Sequence, residues 1–297
     1  MKFHLKQNGR RIALAGTMTA AAVMLALAPM NMGGCSAGSL GDAVGSAVGG
    51  TTGQLISAGG KAAQAEALGE EQEPAMGQSV AVAITSRYGL DPDVSLNRYV
   101  TLVGWTVANS SPRAEMRFNF GVLNSDEVNA YAGPAGYILV TRGAIMRMQD
   151  ESELAGVLAH EIAHVCEKHG LNMMKASLRK EAALQAINTN DKVAQFNVAT
   201  DTLAKALVEG QYSRDQESRA DLLAVDYVTA AGYDPNGYHR YLQRMAAAQS
   251  SNAKVMSSHP GMADRANRVA AKIKEKGSPG GATVADRFKK NVARPTA

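Results

Sequence analysis

The sequence has only two cysteines, Cys35 and Cys166, among its 297 residues. If Cys35 carries a lipid, as the residues around it suggest below, Cys166 has no partner and no disulfide can form. An exported protein without a disulfide depends on its hydrophobic core and on bound metal for stability. We therefore expect a fold that no disulfide stabilises.

A basic surface stripe is also missing, although the formal net charge is +4. Four of the 31 basic residues lie within the first eleven positions, in a segment that contains no acidic residue. Without that segment the chain carries 27 basic and 27 acidic residues. This balance argues against nucleic acid as a partner. No repeat array is present either, so we expect no helical-repeat partner domain.

One long apolar run, at 12–28, follows four basic residues, Lys2, Lys6, Arg10 and Arg11. This is the pattern of a signal peptide, although a run of about 17 residues is also just long enough to remain as a membrane anchor. The small residues before Cys35 resemble a bacterial lipobox, with Met32 where leucine is usual. We expect cleavage before Cys35 and a lipid on its side chain. Ordinary cleavage after Ala28 is the alternative.

The composition divides the chain into four parts: a signal peptide at 1–34, a tether at 35–70, a folded domain at 71–276 and a disordered tail at 277–297. The tether is rich in glycine and alanine and repeats glycine every four residues from Gly41 to Gly53. A flexible linker is the expected role of this segment. The alternative is a helix whose small residues pack against lipid or a partner.

The stretch HEIAHVCEKH, at 160–169, lies in a run with helical apolar spacing from Glu151 to His169. His160 and His164 are one turn apart, so both imidazoles can bind one metal ion. Glu161 lies close enough to contact a water on that metal without being a ligand. Two histidines and a nearby carboxylate are the groups that metal-assisted hydrolysis needs.

The same run contains other polar side chains that fit the metal less well. Glu167 lies a further turn along, too far for three ligands on one helix, and we interpret it as a rim residue without excluding a ligand role. Cys166 and His169 point away from the histidine face and are interpreted as packing or helix-end residues. A third ligand must therefore come from another part of the chain.

A second helix is predicted from Ser213, where Ser213 and Gln216 form a capping-box pattern. Glu217 and Asp221 are four residues apart and share one face, which continues as an apolar stripe. Two buried carboxylates are costly unless they have partners, and a metal with its imidazole ligands provides them. Glu217 is the expected third ligand, and Asp221 is expected to hold the free ring nitrogen of a ligand histidine.

H-E-x-x-H followed about 50 residues later by E-x-x-A-D resembles the gluzincin-type zinc metallopeptidases that include HtpX and the CAAX prenyl proteases. The matching residues of the second motif are Glu217, Ala220 and Asp221. The segment Val128 to Ile145 is similar to the family's strand and turn before the metal helix, with AGPAG in place of the usual Leu-Pro-Gly-Gly turn. His259, Pro260 and Arg265 are similar to its His-Pro segment and later arginine. The similarity spans about 71–276 and lacks the membrane-spanning core of those proteins.

The resemblance implies an α+β fold, a mainly helical zincin-like domain with a small β-sheet beside the H-E-x-x-H helix. We predict helices at 71–87, 96–111, 151–169, 213–232, 238–249 and 261–276. Strands are predicted at 114–124 and 136–143, with 124–136 as their connection. The segment 171–210 has an irregular helical pattern and is expected to cover the cleft between the two metal-binding helices.

The expected activity is a zinc endopeptidase with one Zn²⁺ per chain and Glu161 as the general base. His259 is expected either to donate to the oxyanion or to occupy the water position as a fourth ligand, which keeps the enzyme latent. Asn129, Tyr137 and Arg265 are the residues expected to contact substrate. The strand at 137–141 is expected to bind a peptide as an added strand.

We expect the protein to act in the periplasm as a lipoprotein anchored in the outer membrane. It would belong to a single-domain, exported lipoprotein branch of the metallopeptidase family. Misfolded or misassembled envelope proteins are the expected substrates, and the envelope assembly machinery is an expected partner. The alternative is a chaperone or assembly factor that retains a metal site. The intact Glu161 argues against that alternative, because a binding protein has no use for the base.

The mature N-terminus is the testable consequence of the leader. We predict that the mature chain starts at Cys35 and carries lipid there, which mass spectrometry of the envelope fraction can measure. Cys35→Ser should remove the lipid and release the protein from the membrane. An unmodified start at residue 29 would contradict the lipoprotein hypothesis.

Overall fold

A computed structural model describes residues 73–173, 175–176, 204–205, 207–208, 212–251, 258–259 and 261–293. The predicted signal peptide, the Cys35 lipid site and the tether lie outside these residues. So do Pro260 and most of the predicted cleft-covering segment at 171–210.

The described chain is mainly helical, and a small sheet lies between its second and third helices in sequence. The helices are α1 (Glu73–Tyr88), α2 (Val94–Ala108), the short α3 (Arg142–Ile145), α4 (Glu151–Cys166), α5 (Arg214–Ala230), α6 (Pro235–Ser251), α7 (Met262–Glu275) and α8 (Ala285–Val292). The strands are β1 (Asn119–Leu123), β2 (Ala130–Gly133) and β3 (Tyr137–Thr141). This architecture confirms the predicted α+β class with a small sheet near the H-E-x-x-H helix.

The three strands lie in the order β1-β3-β2, so β3 is the central strand. It pairs in parallel with β1, Asn119 opposite Tyr137, and antiparallel with β2, Gly133 opposite Tyr137. Both edges of β3 are therefore occupied. The prediction that the strand at 137–141 binds a peptide as an added strand is wrong, because only an edge strand has free main-chain groups.

Strand β2 lies at one edge of the sheet and β1 at the other, and β2 falls within the predicted connection at 124–136. Its four residues are all buried, and its sequence, AYAG, has little β-propensity. A one-turn 3-10 helix, Pro134–Gly136, joins it to β3. Within it Ala135 has a φ of 56°, and its N–H donates to the Glu73 carboxylate at 3.0 Å. Glu73 thereby fixes the turn that aligns the edge strand.

Helix α4 lies at the centre of the fold, and all of its residues from Glu151 to Val165 are buried. It packs against α2, α5 and α6 and contacts β2. A Cβ on Gly156 would lie only 2.4 Å from the Tyr238 Cβ, so glycine is what lets α6 approach α4 this closely. That approach brings the Tyr238 side chain to the functional groups described below.

The predicted disorder of the tail is wrong for 277–293, because this segment folds back onto the start of α4. The Thr283 carbonyl accepts from Glu151 N at 3.0 Å and from Ser152 N at 3.3 Å. These amides belong to the first turn of α4, where no partner within the helix is available. The buried Phe288 holds α8 against the core.

Among the residues that the structure describes, no helix is both long enough and apolar enough to cross a bilayer.

The buried Glu151 carboxylate links the C-terminal segment to the core and makes stability depend on pH. It accepts from Tyr99 and Tyr233 hydroxyls, each at 2.7 Å, and from Arg287 Nε at 2.6 Å. Burial alone would raise the pKa of Glu151, but hydrogen bonds from Arg287, Tyr233 and Tyr99 outweigh it and lower the pKa. The ionised form therefore stabilises the fold above the unfolded pKa, and this stability is lost as pH falls through the folded pKa.

We predict that Glu151→Gln lowers the free energy of unfolding at pH 7 by about 1.5–3 kcal/mol, as expected when hydrogen bonds to a buried charge are lost. The difference from wild type should shrink as pH falls through the lowered pKa of Glu151, where the wild-type carboxylate becomes protonated. Urea unfolding at a series of pH values measures this. Glu275→Gln, on an exposed carboxylate, is the control and should have little effect at any pH. A Glu151→Gln difference that is constant with pH would contradict the assignment.

Candidate metal centre

The polar groups of α4 meet in one buried cluster. His160 and His164 lie one turn apart, with their Nε2 atoms 3.0 Å from each other. Both imidazoles are essentially inaccessible to solvent, as is the Glu161 side chain. Their placement on one face confirms the geometry that helical spacing predicts.

Helix α5 supplies the carboxylates that face these imidazoles. The observed capping box between Ser213 and Gln216 fixes where this helix begins. Glu217 Oε1 lies 3.4 Å from His164 Nε2, and Glu217 Oε2 lies 3.4 Å from His160 Nε2. One turn later, Asp221 Oδ1 lies 3.1 Å from the other ring nitrogen of His160, Nδ1. The two acids therefore contact opposite sides of the same imidazole.

His259, three residues before the start of α7, completes the cluster and is 1% exposed. Its Nδ1 lies 2.9 Å from Glu217 Oε1 and 3.3 Å from His160 Nε2. Its Nε2 faces Glu161 Oε1 at 3.5 Å. The imidazole thus lies between the carboxylate of α5 and that of α4.

One ligand atom from each of four residues, His160, His164, Glu217 and His259, lies within 4.8 Å of the others. Nitrogen and carboxylate oxygen donors of this kind suit Zn²⁺. Both oxygens of the buried Glu161 lack a hydrogen-bond partner among the residues that the structure describes. A buried carboxylate without partners is costly, so this position fits a group that meets a water or a substrate beside a metal. The residues present therefore fit a zinc ion.

The charges around the cluster set its protonation. Burial and the Arg265 guanidinium lower the pKa of His160, but Glu217 and Asp221 outweigh them and raise the pKa to about 9. Burial lowers the pKa of His164 well below its usual value, which leaves a neutral imidazole. Without metal, one histidine is thus protonated and the other is free to bind. Metal uptake at this group must release the proton of His160.

Comparison with known proteins shows the family to which this chain belongs. Residues 95–273 match the model of "Peptidase family M48". The chain belongs to peptidase family M48. Membership implies a divalent metal ion at the H-E-x-x-H helix, in agreement with the donor set of the cluster.

Three relatives from Escherichia coli (strain K12) illustrate the range of similarity to this M48 chain. It is 32% identical to metalloprotease YcaL over 52% of the chain and 62% of the relative. It is 28% identical to the beta-barrel assembly-enhancing protease over 67% of the chain and 44% of the relative. It is 26% identical to metalloprotease LoiP over 72% of the chain and 86% of the relative. In four of the matched relatives, YcaL and three beta-barrel assembly-enhancing proteases, the match spans 38 to 62% of the relative's own length.

Arg265 of the M48 domain lies behind the cluster, where its donors contact two carboxylates and a hydroxyl. Its Nε donates to both oxygens of Asp221 at 3.1 Å, and its Nη2 donates to the Tyr238 hydroxyl at 2.7 Å. Its Nη1 lies 2.9 Å from Glu217 Oε2 as an ion pair. The guanidinium is 1% exposed. The donors of Arg265 hold the carboxylates of α5 in place, and its predicted contact with substrate stays a prediction.

The two other predicted substrate residues have different surroundings. Asn129, just before the edge strand β2, is buried, and its Oδ1 accepts from Ser258 Oγ at 2.7 Å. This bond ties the residue before His259 to the start of the edge strand. Tyr137 begins the central strand and lies against Gly77 of α1. The structure brings Asn129 near the cluster but gives Tyr137 no contact with it.

The rim residue and two further side chains complete the surroundings. Glu167 is partly exposed and pairs with Arg219 at 3.4 Å, outside the metal group. The ring of Tyr212, which was not predicted from the sequence, stacks on His164 with centroids 3.9 Å apart. The prediction that His169 points away from the histidine face is wrong, because His169 Nδ1 lies 2.9 Å from His164 Nδ1. The one sequence signal for Tyr212 is its position next to the capping-box residue Ser213.

We predict that the wild-type chain binds one zinc ion and that His164→Ala or Glu217→Ala weakens zinc binding strongly. The loss should exceed the roughly 10–100-fold effect typical of residues that only support a ligand. Elemental analysis after dialysis against a weak chelator measures the bound zinc. Glu167→Ala is the matched control and should retain one zinc per chain. An empty Glu167→Ala site beside a full Glu217→Ala site would overturn this ligand assignment.

Proposed function

We propose that this protein is a zinc-dependent endopeptidase of the bacterial cell envelope that degrades misfolded or misassembled proteins. The observation that carries the proposal is the buried cluster of two imidazoles and a carboxylate beside the unpartnered Glu161. Membership of peptidase family M48 supports the same reaction class. The names of the relatives, which include a beta-barrel assembly-enhancing protease, support an envelope role.

His160, His164 and Glu217 are the residues we propose to hold one Zn²⁺. Asp221 accepts a hydrogen bond from the Nδ1–H of His160, which leaves the Nε2 lone pair of that ring for the metal. When bound, the ion supplies Lewis-acid polarisation of a peptide carbonyl and lowers the pKa of a water. The buried Arg265 holds Asp221 and Glu217 in the ionised form that this arrangement needs.

Glu161 is the proposed general base. Its carboxylate takes a proton from the water that attacks the peptide carbonyl and then passes it to the leaving amine. Because neither oxygen has a hydrogen-bond partner in the described part of the chain, neither has to break such a bond to do so. The water-excluding surroundings of α4 strengthen the interaction of this carboxylate with the reacting groups.

We propose that a substrate segment pairs with β2, since β3 is covered on both sides. No strand among the described residues pairs with the outer edge of β2. Main-chain hydrogen bonds to an edge strand give affinity without a strong sequence preference. The residues of β2 carry mostly small side chains, Ala130, Ala132 and Gly133, which leave room for diverse substrate side chains.

His259 is proposed to keep the enzyme latent. Its Nδ1 faces the same space as the three ligand atoms. The position of His259 therefore suits a fourth ligand of a tetrahedral site better than it suits an oxyanion donor. In that position it excludes the water that hydrolysis needs. The hydrogen bond between Ser258 and Asn129 connects the segment that carries His259 to the start of β2, where substrate would bind. Substrate pairing at β2 is thus placed to release His259.

The proposed location is the periplasm, with a lipid at Cys35 as the membrane anchor. The basic leader, the apolar run and the small residues before Cys35 support this proposal. The envelope assembly machinery is the proposed partner, by analogy with the name of one relative, the beta-barrel assembly-enhancing protease. The competing function is that of a chaperone or assembly factor with a retained metal site, which the same name also supports.

We predict that Glu161→Gln abolishes cleavage of an unfolded protein substrate, with a loss of at least about 100-fold in rate. His259→Ala should do the opposite and raise the basal rate, because the blocking imidazole is gone. Both rates are measured with the zinc-loaded protein purified from the envelope, with and without chelator. The chelator should stop cleavage by wild type and by His259→Ala.

His239→Ala, on α6, is the control and should cleave at the wild-type rate. An equal rate for Glu161→Gln and wild type would favour the chaperone function instead of proteolysis. A lower rate for His259→Ala would make His259 an oxyanion donor, and an unchanged rate would remove it from the site.

A further inference from the structure

His169 is held against the proposed zinc ligand His164 on the side that faces away from the metal cluster. The two Nδ1 atoms are 2.9 Å apart, which is hydrogen-bond distance. The Nε2 of His164 points the other way, toward His160 Nε2 at 3.0 Å. His169 is 7% exposed, and its own ring is not among the atoms that converge on the metal position.

The backbone turns sharply to bring His169 there. Helix α4 ends at Cys166, and Lys168 has a φ of 55°, in the left-handed region that side-chain-bearing residues rarely adopt. On an uninterrupted helix, His169 would lie about half a turn from His160, as nine residues at about 100° require. The left-handed residue redirects the chain, and a second helical stretch begins at His169. Backbone strain of this kind persists where surrounding contacts fix it, often at functional sites.

The hydrogen bond between the two rings fixes the tautomer of His164. One proton lies between two nitrogens, so one ring donates and the other accepts. If His169 donated, the His164 proton would lie on Nε2, and no lone pair would face the metal. If His164 donates from Nδ1, its Nε2 lone pair is free for the ion. Only the second arrangement is compatible with His164 as a ligand.

We propose that His169 is the positioning residue of His164: it accepts the Nδ1–H of this ligand and so presents Nε2 to the zinc ion. This inference rests on the proposed zinc site and extends it to a residue outside the ligand set. The Tyr212 ring, stacked on His164 at an interplanar angle of 25°, limits tilting, while His169 limits rotation within the ring plane. The two ligand histidines thereby have different acceptors, a carboxylate for His160 and an imidazole for His164.

The test compares two substitutions of the same shape in the full chain. His169→Asn places an amide oxygen where an acceptor is needed, whereas His169→Leu has the same branched side chain without an acceptor. Zinc affinity is measured by competition with a chromogenic chelator, and thermal unfolding of both variants reports on packing. The absorption spectrum of the cobalt-substituted protein reports the geometry around the metal. His239→Leu, a histidine replaced on α6, is the control.

We expect His169→Leu to bind zinc about 10–100-fold more weakly than wild type, as for other partners of ligand histidines. His169→Asn should recover most of this affinity and a cobalt spectrum close to wild type. Equal affinity for the Leu and Asn variants, whether high or low, would overturn the inference and leave His169 a packing residue. Absence of zinc binding by wild type would instead overturn the proposed function.

Discussion

Two carboxylates of α5, Glu217 and Asp221, are buried in the middle of the domain, and both need charged or hydrogen-donating partners. An isolated ionised carboxylate at such a position would cost many kcal/mol. Four elements supply the partners: α4 through His160, α6 through Tyr238, the segment before α7 through His259, and α7 itself through Arg265. The relative positions of these elements follow from this one requirement. Removal of a single partner from a buried ion pair typically costs about 3–5 kcal/mol, so the cluster strongly constrains the packing around it.

The same requirement separates two groups of side chains within the cluster. Arg265, Asp221 and Tyr238 bond to one another on the far side of the His160 ring. On the near side, Glu161 has no hydrogen-bond partner among the described residues, and His259 Nε2 lies 3.5 Å from its Oε1. A buried, fully bonded layer therefore supports a layer with spare bonding capacity. That contrast is a physical basis for distinguishing supporting groups from reacting groups within one cluster.

Local sequence patterns predicted the parts of the structure that depend on local geometry. The spacing of His160 and His164, the capping box at Ser213 and the paired acids of α5 follow from helical periodicity alone. The edge strand β2 was not predictable in this way, because AYAG is short and has no alternation of polar and apolar residues. Its position depends on pairing with β3 and on the distant Glu73.

The other differences have similar causes. His169 is placed by a left-handed residue that no sequence pattern around Lys168 announces, since such residues are usually glycine or asparagine. The tail after Gly277 has a composition that favours disorder, but Arg287 meets the buried Glu151 across 136 positions of sequence. The interpretation of Arg265 as a substrate residue came from family resemblance, whereas its burial depends on three elements packing together. Sequence patterns therefore predicted the residues that form the metal cluster better than the residues that hold them in position, such as His169.

The return of the C-terminal segment to α4 has a consequence for the order of events during synthesis. Two first-turn amides of the H-E-x-x-H helix, those of Glu151 and Ser152, donate to the Thr283 carbonyl, more than 130 residues later in the chain. A nascent chain that has been made as far as α7 contains every proposed ligand but lacks this closing contact. Such long-range contacts form late in folding because the intervening loop must close first. The fold thus completes the first turn of its central helix only after the segment around Thr283 has been synthesised.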